Sequence, residues 1–192
     1  MTQHTAKDLM RNAFARRRAA LASSGALREE LIAQAVGELD QAIAQARSDG
    51  AEGRADLLKA LALRAELALD AGDKIRSRAL LDEVIALHRE SGDQSALASA
   101  ILQLAALDMA CGARASALDG YEDAISILRE DESATPLELA LAVSAKAEVL
   151  ARTGDKSAAR AAWFEAATIY AQIPDDEGVI RCQSKIAELA LA

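Results

Sequence analysis

The sequence predicts an all-α fold assembled from stacked helical hairpins, and three observations predict it. First, hydrophobic residues make up 52% of the 192-residue chain, aromatics only 3%, and Pro occurs twice. The apolar weight therefore rests on Ala and Leu, strong helix formers, while β-branched residues are sparse. Second, Gly72, Gly112 and Gly154 recur 40 and 42 residues apart. Third, the same residue classes return around each of these glycines. A small residue stands seven positions before (Ala65, Ala105, Ala147). Ser77, Ala117 and Ala159 stand five after, Leu81, Tyr121 and Trp163 nine after, and Val84, Ala124 and Ala166 twelve after. Ala187 follows Ala147 by another 40 residues. Such recurrence points to architecture rather than to one chemical site.

Taken in order, residues 5–22 predict a helix with Leu9, Met10, Phe14 and Leu21 as a sparse apolar face. Residues 26–48 predict one long helix or a degenerate first hairpin, with Gly37 as a candidate interruption. "LLKALALRAELALDAGD" and "ALASAILQLAALDMACG" carry apolar residues at helical spacing and reach Gly at or next to their ends. Gly readily takes the left-handed conformation that terminates a helix. Asp73 and Asp155, directly after Gly, suit the N-cap of the following helix. Ala117, Tyr121 and Ala124 fall on one face of that second helix. Their small members let two helices approach, and the large one fills the gap toward the next hairpin. A lone hairpin cannot bury this face, so the pattern has to recur. Thr135, Pro136 and Glu138 read as N-cap, first helical residue and capping-box acid, which starts a helix at residue 136. The last predicted helix, 176–191, has no partner in the pattern, and serves as a cap or leaves an edge for self-association.

Gly112, Ala117, Tyr121 and Ala124, with Ala105 upstream, resemble a tetratricopeptide repeat (TPR). Gly154, Asp155, Ala159, Trp163 and Ala166, with Ala147, resemble it more fully. Residues 57–90 match less well, because Ser77, Leu81 and Val84 replace the small–aromatic–small set. The resemblance covers about residues 55–192. Its period exceeds the usual 34 residues and is similar to the long-repeat subclass of kinesin light chains, bacterial peptide-sensing regulators and G-protein regulators. It implies a right-handed helical-hairpin repeat solenoid, a TPR-like superhelix. The expected organisation is a basic N-terminal helix over 1–24 and a repeat domain over 25–192. Repeats fall near 57–94, 97–135 and 137–174, with a capping helix over 176–192.

The net charge of −8 and a pI near 4.9 argue against nonspecific nucleic-acid binding. The charge is uneven: residues 1–36 carry +3, which leaves −11 in the rest. No apolar run approaches the ~20 residues of a membrane-spanning helix. Glu66, Arg89, Asp108 and Glu148 interrupt the candidates, so no membrane partner is expected. The Arg-rich, acid-poor start resembles a mitochondrial transit peptide in composition and lacks the apolar region of a secretory signal. The favoured reading is an exposed basic helix of a cytoplasmic protein. Cys111 and Cys182 form no CxxC motif and read as small buried hydrophobes in a reducing compartment. His4 and His88 are isolated, so there is no metal signature.

No catalytic constellation is visible. GxSxG and glycine-rich phosphate loops are absent. The acid pairs Asp82/Glu83, Glu122/Asp123 and Asp175/Asp176 read as solvated faces or caps. The chain is therefore expected to be neither an enzyme nor a cofactor carrier, and its function should lie in a surface.

The resemblance implies that the first helices of successive hairpins line a concave groove taking an extended peptide or a helix. That face maps onto Lys59, Ala62, Glu66 and Leu69; then Ser99, Leu102, Ala106 and Met109; then Leu141, Ser144, Glu148 and Arg152; and last Arg181, Ser184 and Glu188. The Lys/Asn/Arg carboxylate clamp of chaperone-tail binders is missing, since its positions hold Ala62, Glu66, Gln103, Leu141 and Ala145. Glu66, Glu148 and Glu188 share one phase, with Ala106 breaking the series. Beside Leu102, Met109 and Leu141 they would favour a basic, partly apolar ligand. The competing reading is local pairing, as with Arg152 four residues after Glu148. The +3/−11 split raises one further expectation. Arg16, Arg17 and Arg18, with Phe14, would dock in the acidic groove of the same chain or of a neighbour. The leading expectation is a protein-interaction scaffold or adaptor. The alternatives are a structural subunit forming a homo-oligomer through its terminal helices, and a regulatory sensor module.

Overall fold

The computed structural model describes residues 5–191. Among these, nine α-helices follow one another and no strand occurs: α1 (Ala6–Leu21), α2 (Gly25–Ser48), α3 (Arg54–Asp70), α4 (Lys74–Ser91), α5 (Gln94–Cys111), α6 (Arg114–Glu130), α7 (Pro136–Thr153), α8 (Lys156–Tyr170) and α9 (Asp176–Leu191). The chain divides into two compact units, Met1–Leu87 and His88–Ala192, with the boundary in the last turn of α4. His4 lies outside the described residues.

The glycine periodicity has one geometric meaning. Gly72, Gly112 and Gly154 hold φ of 82°, 80° and 89°, the left-handed region that stops a helix. After each, the next amide reaches back to the carbonyl five residues earlier. Asp73 N donates to Ala68 O (2.8 Å), Ala113 N to Asp108 O (2.9 Å) and Asp155 N to Leu150 O (3.1 Å). Asp73 and Asp155 then cap the next helix, accepting from Arg76 N at 2.9 Å and Ala158 N at 3.0 Å. Ala113 holds the equivalent place without a side-chain cap. At the start of α7, Thr135 and Glu138 close a full capping box around Pro136.

In the first unit, α1 and α2 form a hairpin and α3 packs on both. Ala13, Ala35, Leu39 and Leu67 make the shared core, with Met10, Ile32, Val36 and Leu63 around it. Helix α1 thus lies inside this unit. Two sequence expectations need correction here. The buried face of α1 is Ala6, Leu9, Ala13 and Ala20, while Phe14 and Leu21 are exposed. Three of the four buried positions are Ala, which lets α1 approach α2 closely, while Leu9 and Met10 supply the larger apolar contacts. Gly37 does not interrupt α2: the helix runs through it and no positive φ occurs there. Arg47 Nη2 bonds Glu83 Oε1 at 2.6 Å between α2 and α4, and Arg54 Nη2 donates to Leu87 O at 2.6 Å.

In the second unit, α5/α6 and α7/α8 are hairpins, α6 packs on α7, and α9 packs on α8. The wedge works as its spacing implies. Tyr121 is buried with Ala105 of its own hairpin, Ala117 of its own helix and Val149 of α7. Trp163 is buried on the α8 face that carries Ala159 and Ala166. Helix α9 packs on α8, as a cap on the last hairpin would. Gly178 sits against the Tyr170 ring and Cys182 is fully buried. The two cysteines differ: both are free, but Cys111, the last residue of α5, is exposed and Cys182 is buried. Helix α5 is long and apolar enough by composition to cross a membrane. Here it buries Leu97, Ala98, Ala100, Ile101, Ala105 and Leu107, with Asp108 beside them.

Candidate binding surface

In the first unit the mapped residues lie on α3. Lys59, Glu66 and Leu69 are exposed and Ala62 is half-buried. Of these, Glu66 is reached from α1. Arg17 Nε bonds Asp70 Oδ2 at 2.5 Å, and its Nη1 pairs with Glu66. Burial works against the Arg17 charge, but the hydrogen bond with Asp70 and the Glu66 carboxylate outweigh it, so its pKa is raised. Arg28 Nη2 adds a 2.9 Å bond to Asp70 O. Arg16 turns the other way, its Nε on Glu38 of α2 at 3.0 Å. Of the basic cluster, then, Arg17 reaches the mapped acid, Arg16 stays in its own hairpin, and Phe14 and Arg18 remain in solvent.

In the second unit the mapped residues lie on α5, α7 and α9. Ser95 Oγ donates to Glu138 Oε1 at 3.3 Å between α5 and α7. Ser144 of α7 lies against the Cys182 thiol of α9, whose pKa burial pushes up. Ser99 and Ala106 are exposed, Leu102 and Met109 half-buried. Leu102, Met109 and Ala145 lean on the Tyr121 core cluster. On α7, Leu141 is exposed, Ser144 and Glu148 half-buried, and Arg152 exposed. Leu137 lies one turn earlier and is 44% exposed, a residue the mapping missed. On α9, Arg181, Ser184 and Glu188 are exposed.

The acids of this surface are engaged. Arg152 Nε bonds Glu148 Oε1 at 3.0 Å, and Lys185 Nζ bonds Glu188 Oε2 at 3.0 Å. That bond to Glu188, with Glu148 adding to it, raises the Lys185 pKa. Sequence reasoning gave Arg152 its role and placed Arg17 toward the acidic residues, but overlooked Asp70 and Lys185. The four-residue spacing exposed the first pair, whereas the contact between α1 and α3 has no local signal. Arg181 also holds the buried Tyr170, with Nη2 donating to the phenol oxygen at 3.1 Å and the guanidinium 5.4 Å from the ring centre.

A cleft of about 680 Å³ opens elsewhere in the second unit, where α6 ends, α7 begins and α8 passes. Leu128, Pro136, Leu139, Ile169 and Phe164 line it, and the Arg129–Glu165 pair lies at its rim. Phe164 is 68% exposed. No sequence pattern marks it, since it lies outside the repeated positions. Among the described residues, no group of three or more His, Cys, Asp or Glu could hold a metal ion.

The fold has close counterparts. Two crystal structures of a Podosopora anserina protein, described as a kinesin light chain with nearly identical TPR-like repeats, superpose with TM-scores of 0.73 and 0.72 at 17% and 16% identity. Each covers 98% of this chain and 87% of the other. The apo form of RapI gives a TM-score of 0.77 at 11% identity, over 93% of this chain and 46% of that one. BtubC (BKLC) from P. vanneervenii gives 0.71 at 13%, over 96% and 81%. No curated protein matches the sequence. The family model described as anaphase-promoting complex subunit 5 matches residues 33–101 and again 94–150. These two matches span more than half of the chain, which belongs to that family and has its TPR-like helical-repeat fold.

Proposed function

We propose that the chain is a protein-interaction scaffold that holds a partner helix or extended peptide on the α5–α7–α9 face. TPR-like repeat folds characteristically bind proteins and carry no chemistry of their own. The observation that carries the reading is the apolar strip of Leu137 and Leu141, exposed on α7, the helix whose Ala145 packs on the same core cluster as half-buried Leu102 and Met109 of α5. A core-packed helix has no use for exposed leucines one turn apart, whereas an amphipathic ligand does. Glu148 and Glu188 border the strip with their cations. Basic groups of the ligand would therefore exchange with Arg152 and Lys185, so apolar contacts supply most of the affinity and charge tunes it. Glu66, already held by Arg17, belongs to the internal ties of the first unit. The reading is of a non-enzymatic cytoplasmic protein without cofactor, and its net charge of −8 favours protein over nucleic-acid or membrane ligands.

The test is affinity capture from a lysate with the wild-type chain, Leu137→Glu/Leu141→Glu, and Phe164→Glu, all checked for equal helicity. Both leucines and Phe164 are exposed, so these changes leave the core intact. A partner lost with the leucine pair and retained with Phe164→Glu is the expected result. Retention by the leucine variant overturns the reading, and loss only with Phe164→Glu moves the site to the cleft.

A further inference from the structure

Helix α1 presents two faces. One packs on α2 and α3. The other runs Lys7, Arg11, Phe14, Arg18 and Leu21, all exposed and spaced by four and three residues in turn. Phe14 is 55% and Leu21 60% exposed. Helix α9 likewise packs on α8 and leaves an outer row of Asp176, Ile180, Gln183, Ala187 and Leu191, all exposed. Ile180 is 62% and Leu191 91% exposed. Large apolar residues in solvent on the first and last helices, each at helical spacing, read as contact surfaces rather than as scatter.

The two rows are chemically matched. Among the described residues, no ion pair engages Lys7 or Arg18, and Arg11 is tied only to its helix neighbour Asp8. On α9, Asp176 and Glu177 form an acidic first turn. Set antiparallel, the rows come into register. Arg18 meets Asp176 and Glu177, Phe14 meets Ile180, Arg11 meets Gln183, and Lys7 meets the Ala187–Glu188 turn. Arg18 is in the last turn of α1 and the two acids are in the first turn of α9. Each charge already suits its own helix dipole, and antiparallel dipoles attract.

We propose that a second copy of this chain is the occupant, with α1 of one molecule laid antiparallel on α9 of the next in a head-to-tail contact. Two different faces are involved, so the interface is heterologous. Growth ends in a ring where the rotation closes and continues as an open chain where it does not. A single helix-on-helix contact falls at the small end of specific interfaces, under about 1,200 Å² in total. The association is therefore reversible, concentration-dependent and weakened by salt.

Sedimentation velocity over a concentration series tests this with the full chain, Phe14→Glu and Ile180→Glu. Both positions are exposed, and circular dichroism checks that helicity is kept. The wild-type weight-average mass should rise past twice the 20.2 kDa of the chain and fall back in high salt. Each variant alone should stay at the mass of one chain. An equimolar mixture should double that mass and stop there, because each variant still owns one intact face and the two broken faces repel. A wild type of unchanging mass overturns the proposal, including where α1 instead binds vesicles of anionic lipid. Self-association of Phe14→Glu or Ile180→Glu alone overturns it as well, since it shows a contact between like faces.

Discussion

Two Gly→Ala substitutions, chemically identical, should shift stability in opposite directions. Gly37 lies mid-helix in α2, and a Cβ there would meet nothing within 4 Å. Replacing it removes only the backbone-entropy penalty of glycine, so Gly37→Ala should stabilise by about 0.5–1 kcal/mol. Gly178 is the third residue of α9, where the propensity gain is smaller. A Cβ there would stand 2.5 Å from Tyr170 Cδ1, 2.7 Å from Tyr170 Cγ and 2.9 Å from Asp175 Oδ2. The ring has no room to withdraw. Tyr170 is 0% exposed, and its oxygen is held by Arg181 at 3.1 Å. Asp175 in turn caps α9, accepting from Gly178 N at 2.9 Å. Either α9 moves off α8 or the cap is lost, and overpacking of this kind costs about 1–3 kcal/mol. Gly178→Ala should therefore destabilise by about 1–2 kcal/mol after the propensity gain. Urea unfolding by far-UV circular dichroism measures both, and hydrogen exchange of the α9 amides locates the second effect. If Gly178→Ala proves as stabilising as Gly37→Ala, the tight packing of α9 on Tyr170 is wrong.

The Arg17–Asp70 pair, about one-fifth exposed on each side, should show a double-mutant coupling of about 1–2 kcal/mol. The exposed Glu148–Arg152 pair should show about 0.3–0.5 kcal/mol, and equal couplings would remove the case for α1 being tied to α3. Thr135→Ala should cost about 1 kcal/mol at neutral pH by removing the cap of α7. Hydrogen bonds from the Thr135 amide and hydroxyl hold the Glu138 carboxyl below its ordinary 4.5. The contribution of this group is thus full above 4.5 and is lost as pH falls through the lower folded value. The wild type should accordingly lose more stability than Thr135→Ala on acidification below that point, and parallel pH profiles would deny the capping box. Thiol titration at mildly alkaline pH should modify Cys111 at once and Cys182 only on unfolding, because burial raises its pKa and denies access; equal rates would contradict the packing of α9.

What the sequence by itself determined is the repeated, local part of the molecule. Gly112 and Gly154 stop helices through their own backbone freedom, Asp73 and Asp155 cap the next turn, and Thr135 and Glu138 close a box within four residues. Each is an interaction between near neighbours, so spacing alone reveals it. The Ala105–Tyr121 register also shows, because a wedge needs small residues at fixed helical offsets. The candidate surface was legible only as a phase. Leu141 and Glu148 could be assigned to one side of α7, but not whether the acids stood free. Tertiary structure decided that. It brought Arg17 onto Asp70 and Glu66 across about 50 residues of chain, while the Lys185–Glu188 pair, three residues apart on α9, is a local contact that spacing could have shown. It also turned Phe14 outward, and it left Cys111 exposed while burying Cys182, a difference that two identical side chains do not show by themselves. Burial depends on which helix lies opposite, and that is set by the packing of whole faces rather than by the residue and its neighbours in sequence.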